Sequence, residues 1–222
     1  MTLQQLIARF RTEANDQTVP YFCSDTDVTD WLNDAVNEAC IRARLIHESE
    51  DTDITLIAVG DTTAVYELHP SLYEIDHISF KITGETSRLP IRLISTCELD
   101  ATVTDWRDLE GTPGYAIQSD RTVRLVPKPN VTGTLQMEGF RVPKAPMEGD
   151  DDEPEIHPEH HRHLVQWALH KGFSIPDAEF FDKDRAAIAD AKFTQYFGMR
   201  PDSDLRRKTR EDVPQHVQAF WP

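Results

Sequence analysis

The sequence has few cysteines, few basic residues and no long apolar run. Without such a run, no segment predicts a membrane-spanning helix, and the N-terminal residues lack the basic and apolar regions of a secretory signal. The cysteines Cys23, Cys40 and Cys97 are odd in number and widely spaced, which favours neither a disulfide framework nor a metal-binding pair. We therefore expect no membrane contact and folding in a reducing cytoplasm.

Basic charge is scarce, because 23 lysines and arginines face 39 aspartates and glutamates, for a net charge of -16. A protein this acidic is a poor partner for a polyanion, so tight sequence-specific DNA binding is disfavoured. The acids concentrate in residues 148–159, whereas a short basic block lies near the C-terminus. With 222 residues, of which 39% are hydrophobic, the chain is long enough for one large or two small folded domains.

Apolar residues at helical spacing predict two helices near the N-terminus. The first is expected over residues 2–16, where Thr2 and Gln5 form a capping box. The second is expected to begin at Ser24 or Asp25 and to end near residues 46–48.

The same spacing predicts two helices in the C-terminal half. One begins with Pro158 in its first turn and is expected to stop at Gly172. The other is predicted over residues 176–197, with Gly198 as its C-cap. Six apolar residues of the four helices are predicted to share one core: Leu6, Phe10, Trp31, Leu164, Val165 and Phe193.

Between these helical regions the period changes to two, which predicts antiparallel strands over residues 53–142. Ser95 and Glu98 predict a short helix near residues 96–105 within this region. The inward-facing pattern of the last strand changes near Gly139, so a β-bulge is expected there.

The predicted fold is therefore α+β. A helical bundle is formed by residues 1–48 with 155–198, and an antiparallel β region is inserted at residues 53–142. An acidic loop at residues 143–154 leads back to the bundle, and an extended arm covers residues 199–222.

The strongest enzyme-like feature is a group of histidines and carboxylates: His157, His160, His161, His163, Glu155 and Glu159. Imidazoles and carboxylates bind transition metals, so a soluble metal-dependent hydrolase is one interpretation. The other is a solvated helix N-terminus, because no complete metal-binding motif surrounds the histidines. A pH-sensitive contact is a further alternative, since imidazoles titrate near neutral pH. Since no complete catalytic or cofactor motif is present, we expect neither enzymatic activity nor a bound cofactor or metal.

The order of elements resembles the head-to-tail adaptor proteins of tailed bacteriophages. The similarity is carried by residues 123–143, followed by acids and then residues 156–169, and by residues 28–39 and 186–198. It covers most of residues 1–198.

This resemblance implies a structural virion protein that folds in the host bacterial cytoplasm. Its family members form a ring, usually dodecameric, between the portal protein and the tail or nozzle proteins. Such a ring lines the channel through which genomic DNA passes without sequence-specific binding, and an acidic subunit would not hold the DNA. A regulatory binding module remains a third interpretation beside the adaptor and the hydrolase.

The C-terminal arm offers candidate docking residues for the portal or a neighbouring subunit. Arginines and a lysine would be drawn to acidic surface, and terminal aromatic side chains would anchor the arm. The candidates are Arg206, Arg207, Lys208, Arg210, Phe220 and Trp221.

Overall fold

The structure is a computed structural model that describes residues 1–176 and 179–201. The chain divides into two compact units. The first, which we call the helical unit, contains Met1–His47 and Arg141–Arg200. The second, which we call the inserted unit, contains Glu48–Phe140.

Both helices and strands are present, so the predicted α+β class is confirmed. The helices of the described residues are α1 (Leu3–Ala14), α2 (Asp25–Ala43), α3 (Thr52–Thr55), α4 (Thr96–Thr102), α5 (Pro158–Phe173) and α6 (Lys183–Phe197). The strands are β1 (His47–Glu48), β2 (Leu56–Val59), β3 (Val65–Glu67), β4 (Leu72–Ile82), β5 (Leu89–Pro90), β6 (Arg92–Leu93), β7 (Glu110–Gly111), β8 (Tyr115–Gln118), β9 (Thr122–Val126), β10 (Lys128–Pro129) and β11 (Gly133–Arg141).

The predicted starts of the first two helices are confirmed by their caps. Thr2 and Gln5 form the capping box of α1, each side chain accepting a hydrogen bond from the other residue's backbone N–H. Ser24 is the N-cap of α2 and accepts a hydrogen bond from the backbone N–H of Asp27. The helix α2 ends earlier than predicted, because Arg44 takes a left-handed conformation with φ 51°.

Two predictions for the C-terminal helices are wrong. Gly172 does not stop α5; it lies inside the helix, where a Cβ atom would come within 3.1 Å of the Trp31 ring. The last helix begins at residue 183 instead of 176, because Asp182 is its N-cap and accepts hydrogen bonds from two backbone N–H groups of the first turn. Its predicted C-cap, Gly198, is confirmed.

The helices α1, α2, α5 and α6 contribute to one core in the helical unit. Five of the six predicted core residues are buried there: Leu6, Phe10, Leu164, Val165 and Phe193. The sixth, Trp31, is only partly buried and packs against this core. Its ring lies 6.1 Å from that of Phe10, so it covers the core at the surface.

The inserted unit contains most of the strands. In one sheet β4 lies between β11 and β5, and β2 pairs with β11; a second sheet has the order β3-β9-β8-β6. The region is not wholly antiparallel as predicted, because β6 pairs with β8 and β7 pairs with β10 in parallel. These are pairings of two residues each, whereas the longer pairings of β2 with β11, β3 with β9 and β8 with β9 are antiparallel.

The predicted bulge at Gly139 is wrong, because burial in β11 alternates without interruption through Leu135, Met137 and Gly139. The glycine has a different purpose. A Cβ atom at this position would lie 2.1 Å from the Glu74 carbonyl oxygen and 3.0 Å from the Ile75 Cα. Only a residue without a side chain allows this close approach of β4.

The short helix α4 begins as predicted. The hydroxyl of Ser95 accepts a hydrogen bond from the Glu98 backbone N–H, and the helix ends at Thr102 instead of residue 105. Leu99 and Trp106 contribute to a small core that is separate from the main core of the inserted unit.

Candidate interaction surfaces

A buried ion pair organises the connection between α1 and α2. Arg11 Nη1 donates to the carboxylate of Asp16, and Arg11 Nη2 donates to Asp25 Oδ1 at 2.7 Å. The Asp16 carboxylate also accepts hydrogen bonds from the backbone N–H groups of Phe22 and Cys23, at 2.9 and 3.3 Å. Because a buried carboxylate needs such partners, this network fixes the path of the loop.

The fixed loop carries apolar side chains at the surface. Val19 and Phe22 are 74% and 56% exposed, and Phe181 of the loop between α5 and α6 is 49% exposed. The two loops meet through a stacked contact between the rings of Phe22 and Phe180, with centroids 5.7 Å apart. Exposed aromatic side chains of this kind are typical of interaction surfaces.

The four histidines of the predicted cluster have separate roles. His157 is the N-cap of α5, where its Nδ1 accepts a hydrogen bond from the Glu159 backbone N–H at 3.3 Å. His161 is only 1% exposed; its Nε2–H donates to the Ile156 carbonyl oxygen at 2.9 Å, and its Nδ1 lies 2.7 Å from the amino nitrogen of Met1. Since a carbonyl can only accept, the proton of His161 resides on Nε2.

The other two histidines contact Tyr196 of α6. The ring of His163 stacks on that of Tyr196 with centroids 3.5 Å apart, and His160 Nδ1 lies 3.1 Å from the tyrosine hydroxyl. Burial lowers the pKa of both imidazoles; the neighbouring His157 lowers that of His160 further, and Arg162 lowers that of His163. Both rings therefore favour the neutral form at neutral pH.

The interpretation of the cluster as a solvated helix N-terminus needs correction. His161 is buried, and His160 and His163 pack on Tyr196, so only part of the cluster faces water. The rings engage different partners instead of converging. Among the residues that the structure describes, no three histidine, cysteine, aspartate or glutamate side chains are placed to hold a metal ion.

The acidic loop is folded onto the N-terminus of α1. Backbone N–H groups of Leu3 and Gln4 donate to the carbonyl oxygens of Asp152 and Asp150, at 2.7 and 3.1 Å. These two groups would otherwise lack partners, as the first N–H groups of a helix do. The Asp152 carboxylate accepts hydrogen bonds from the backbone N–H groups of Glu148 and Gly149, and these bonds lower its pKa.

The loop is also held to α2. The side-chain amide of Asn33 donates to the Met147 carbonyl oxygen at 3.0 Å and accepts from the Met147 N–H at 2.8 Å. At the end of the loop, Arg141 donates to Glu155 Oε1 at 2.5 Å, and this bond lowers the pKa of the glutamate. The loop therefore has a defined conformation despite its charge.

A shallow groove of about 640 Å³ lies on the surface formed by α1, α5 and α6. Three cationic side chains, a glutamate and four polar or aromatic side chains line it: Arg9, Arg162, Lys192, Glu13, His163, Gln166, Gln195 and Tyr196. We call it the basic groove. Its positive balance contrasts with the net charge of the chain.

The start of the predicted arm is held by a cation from α2. The guanidinium of Arg42 pairs with Glu38 at 2.8 Å and donates to the Gly198 carbonyl oxygen at 3.3 Å. Arg200 lies 3.5 Å from the same glutamate. The six predicted docking residues, Arg206, Arg207, Lys208, Arg210, Phe220 and Trp221, lie outside the described residues.

Sequence reasoning missed Arg11, Asp16 and Asn33, which fix the two loops described above. Their partners are five or more residues away, and those of Asn33 lie in a distant part of the chain. Polar residues on a predicted buried helix face would have been the only signal: Arg11 follows directly after the core residue Phe10.

The chain combines a helical unit with a β-rich inserted unit, and its described surface offers exposed aromatic side chains and a groove with three cations. The sequence model of the SU10 adaptor protein family matches residues 1–218, so the chain belongs to this family. No curated protein matches the chain. The family match extends beyond the resemblance seen in the sequence and includes the basic block, whereas Phe220 and Trp221 follow the matched residues.

Membership identifies a structural bacteriophage adaptor, a class of virion component that contacts other head or tail proteins. It favours a protein without enzymatic activity. Within the described part of the chain, no helix is both long and apolar enough to span a membrane.

Proposed function

We propose that the protein is a head-to-tail adaptor that forms a ring between the portal and the tail of a tailed bacteriophage. The observation that carries the proposal is the match of the SU10 adaptor protein family over residues 1–218. The ring has twelve copies, sits beneath the portal and presents a platform to the tail or nozzle proteins.

The charge of the chain supports a place around a DNA channel. Each copy carries a net charge of -16, so a ring of copies surrounds the channel with negative potential. Phosphates that pass through it are repelled and do not release counterions to bind. Genomic DNA therefore passes without being held and without sequence-specific contacts.

In this proposal each region of the chain has its own role. Residues 1–48 and 155–198 form a helical bundle that carries the contacts between copies, and residues 53–142 form the inserted β region. The arm at residues 199–222 docks on the portal or a neighbouring copy. Its cations Arg206, Arg207, Lys208 and Arg210 meet acidic surface, and Phe220 and Trp221 are buried as anchors.

The test is to mix the full-length chain with the portal protein of the same phage and to image the particles by electron microscopy. We expect a ring on one face of the portal and a twelve-fold average of the added density. A variant that lacks residues 203–222 should bind portals much more weakly, whereas its unfolding midpoint should equal that of the full chain. Portal particles without added density in the presence of excess full-length chain would contradict the proposal.

A further inference from the structure

We propose that the basic groove of one copy receives residues 148–153 of the acidic loop of the next copy when copies assemble side by side. The inference rests on the proposed ring and names the charged surfaces that join its subunits. The groove and the loop have opposite charge, and both belong to the helical unit.

The groove has cationic groups that are available for a partner. Lys192 is exposed and has no ion-pair partner among the described residues. Arg162 is exposed and donates from Nε to His163 Nε2 at 3.0 Å, which leaves its terminal nitrogens for other acceptors. Arg9 pairs with Glu13 at 2.8 Å, so the groove has three cations against one carboxylate.

The loop has carboxylates that face water. Glu148, Asp150 and Asp151 are exposed, and none of the three side chains has a salt-bridge partner within the described ranges 1–176 and 179–201. Backbone hydrogen bonds of the loop to α1 and to the Asp152 carboxylate hold these residues in place. A loop fixed in advance loses little conformational entropy when it binds.

The two surfaces meet one requirement of a ring, which is that the patches that bind each other are different. Closure from one kind of subunit needs two different patches that bind each other, which is a heterologous interface. The groove is lined by α1, α5 and α6, whereas the loop is held to α2 and to the N-terminus of α1, and the two share no residue. One copy can therefore use its groove and its loop at the same time.

The net charge of the chain favours such a contact. Copies with a charge of -16 repel one another, and local opposite charge where neighbours touch reduces this repulsion. Exposed ion pairs each contribute little to stability, so these pairs determine the register and the association rate more than the affinity. Tyr196, which stacks on His163 inside the groove, supplies aromatic surface for the buried centre of the contact.

Charge reversal tests the pairing in the full-length chain. The variants are Lys192→Glu, Asp151→Lys and the double variant with both changes, and the measurement is self-association by sedimentation velocity at low salt, alone and on portal particles. Each single variant should associate roughly tenfold more weakly, because every interface then opposes like charges. The double variant should recover, because each interface again opposes unlike charges.

Matched controls carry the same changes of net charge elsewhere. Lys183→Glu reverses an exposed lysine of α6 about two and a half turns from Lys192, on the opposite side of the helix. Asp120→Lys reverses an exposed aspartate of the inserted unit. Both controls should associate as the wild type does. A double variant no better than the single variants, or controls as weak as they are, would overturn the inference.

Cross-linking gives an independent readout. In a Cys97→Ser background, a chain with Lys192→Cys and Asp151→Cys is treated with a short bismaleimide. A heterologous contact yields a ladder of products beyond the dimer. Each single-cysteine variant lacks a partner thiol across the contact, so it should remain largely monomeric and cannot form products beyond a dimer. The control chain carries Lys183→Cys and Asp151→Cys, and a ladder no stronger than that of the control would refute the contact. The contact would also be refuted if the groove bound DNA, with Lys192→Glu abolishing that binding and leaving assembly unchanged.

The results separate this inference from the proposed function. If the single charge-reversal variants still form rings on portals, the groove contact is refuted and the adaptor function is not. A ladder together with bare portals supports the contact and contradicts the adaptor function. A wild-type chain that associates neither alone nor on portals contradicts both.

Discussion

Phe193 is the position at which the core of the helical unit can be tested most directly. Its side chain is 0% exposed, and its ring centroid lies 5.0 Å from that of Trp167 and 4.7 Å from that of Phe197. The guanidinium of Arg42 lies 5.1 Å from the ring. The substitution Phe193→Ala removes all of these contacts at once.

The size of the effect follows from this burial. Truncating a buried phenylalanine to alanine costs about 3 to 5 kcal/mol, and the residual cavity accounts for part of that cost. The measured range already includes the loss of aromatic contacts such as the two that Phe193 makes. We therefore expect a loss of about 3 to 5 kcal/mol in the free energy of unfolding of the helical unit.

The assay must report on this unit alone. Trp31 and Trp167 belong to it, so a background with Trp106→Phe and Trp221→Phe restricts the fluorescence signal to these two residues. Guanidinium unfolding followed by this signal gives the midpoint, and an unchanged slope shows that the same surface is exposed.

Ile188→Ala is the matched control, because it lies on the same helix but is 56% exposed. It should change the free energy of unfolding by less than about 0.5 kcal/mol. If Phe193→Ala costs less than about 1 kcal/mol, or no more than the control, the residue is not in a packed core and the reasoning is refuted.

Three further predictions concern backbone contact, thiol access and protonation. Gly139→Ala should lower the free energy of unfolding of the inserted unit by about 3 kcal/mol, whereas Gly60→Ala, where no atom lies within 4 Å of the added Cβ, should be nearly neutral. Trp106 fluorescence in denaturant measures both variants, and equal unfolding midpoints would contradict the close approach of β4. Of the three thiols, only Cys97 should react with a maleimide at pH 7 in the native chain, because Cys23 and Cys40 are buried and their pKa values are raised to about 11 and about 12. More than one maleimide label per native chain would contradict this prediction. His160 and His163 have lowered pKa values in the folded state, so the folded state binds fewer protons than the unfolded state, and the free energy of unfolding should fall as the pH drops below about 6.5. Replacing both histidines by glutamine should flatten this pH dependence, and an unchanged slope of unfolding free energy against pH would contradict the prediction.

The sequence predicts local structure well wherever the signal is local. Thr2, Ser24 and Ser95 cap their helices as expected, because an N-cap needs only backbone groups two or three residues away. The start of α6 was missed although Asp182 carried the same local signal. The apolar spacing that predicts this helix does not determine where the helix begins.

Glycines show why the rest was not predictable. Local sequence patterns predict a helix stop at Gly172 and a bulge at Gly139, which are the local uses of glycine. Both positions are instead set by distant partners: the Trp31 ring approaches the first, and the Glu74 carbonyl approaches the second. No local pattern contains that information, because the partner residues lie tens of residues away or more.

The candidate surfaces also combine features that local sequence predicts with features that depend on distant residues. The acidic loop was visible as composition, but its conformation depends on Asn33 and on the N-terminus of α1, more than 100 residues away in the chain. The basic groove was not visible at all, since Arg9, Arg162 and Lys192 come from three separate helices. Folding alone brings these charges together.

Charge therefore acts over two ranges in the proposed assembly. Net charge acts over long distances, and a value of -16 repels polyanions. The contact proposed between copies depends instead on charges within a few ångströms, where a groove with three cations can outweigh the average of the chain. Placing the cations on helices and the carboxylates on a hydrogen-bonded loop keeps both patterns fixed. Raising the salt concentration should consequently weaken the repulsion of DNA and the pairing of exposed charges together, whereas contacts anchored by buried aromatic side chains should persist.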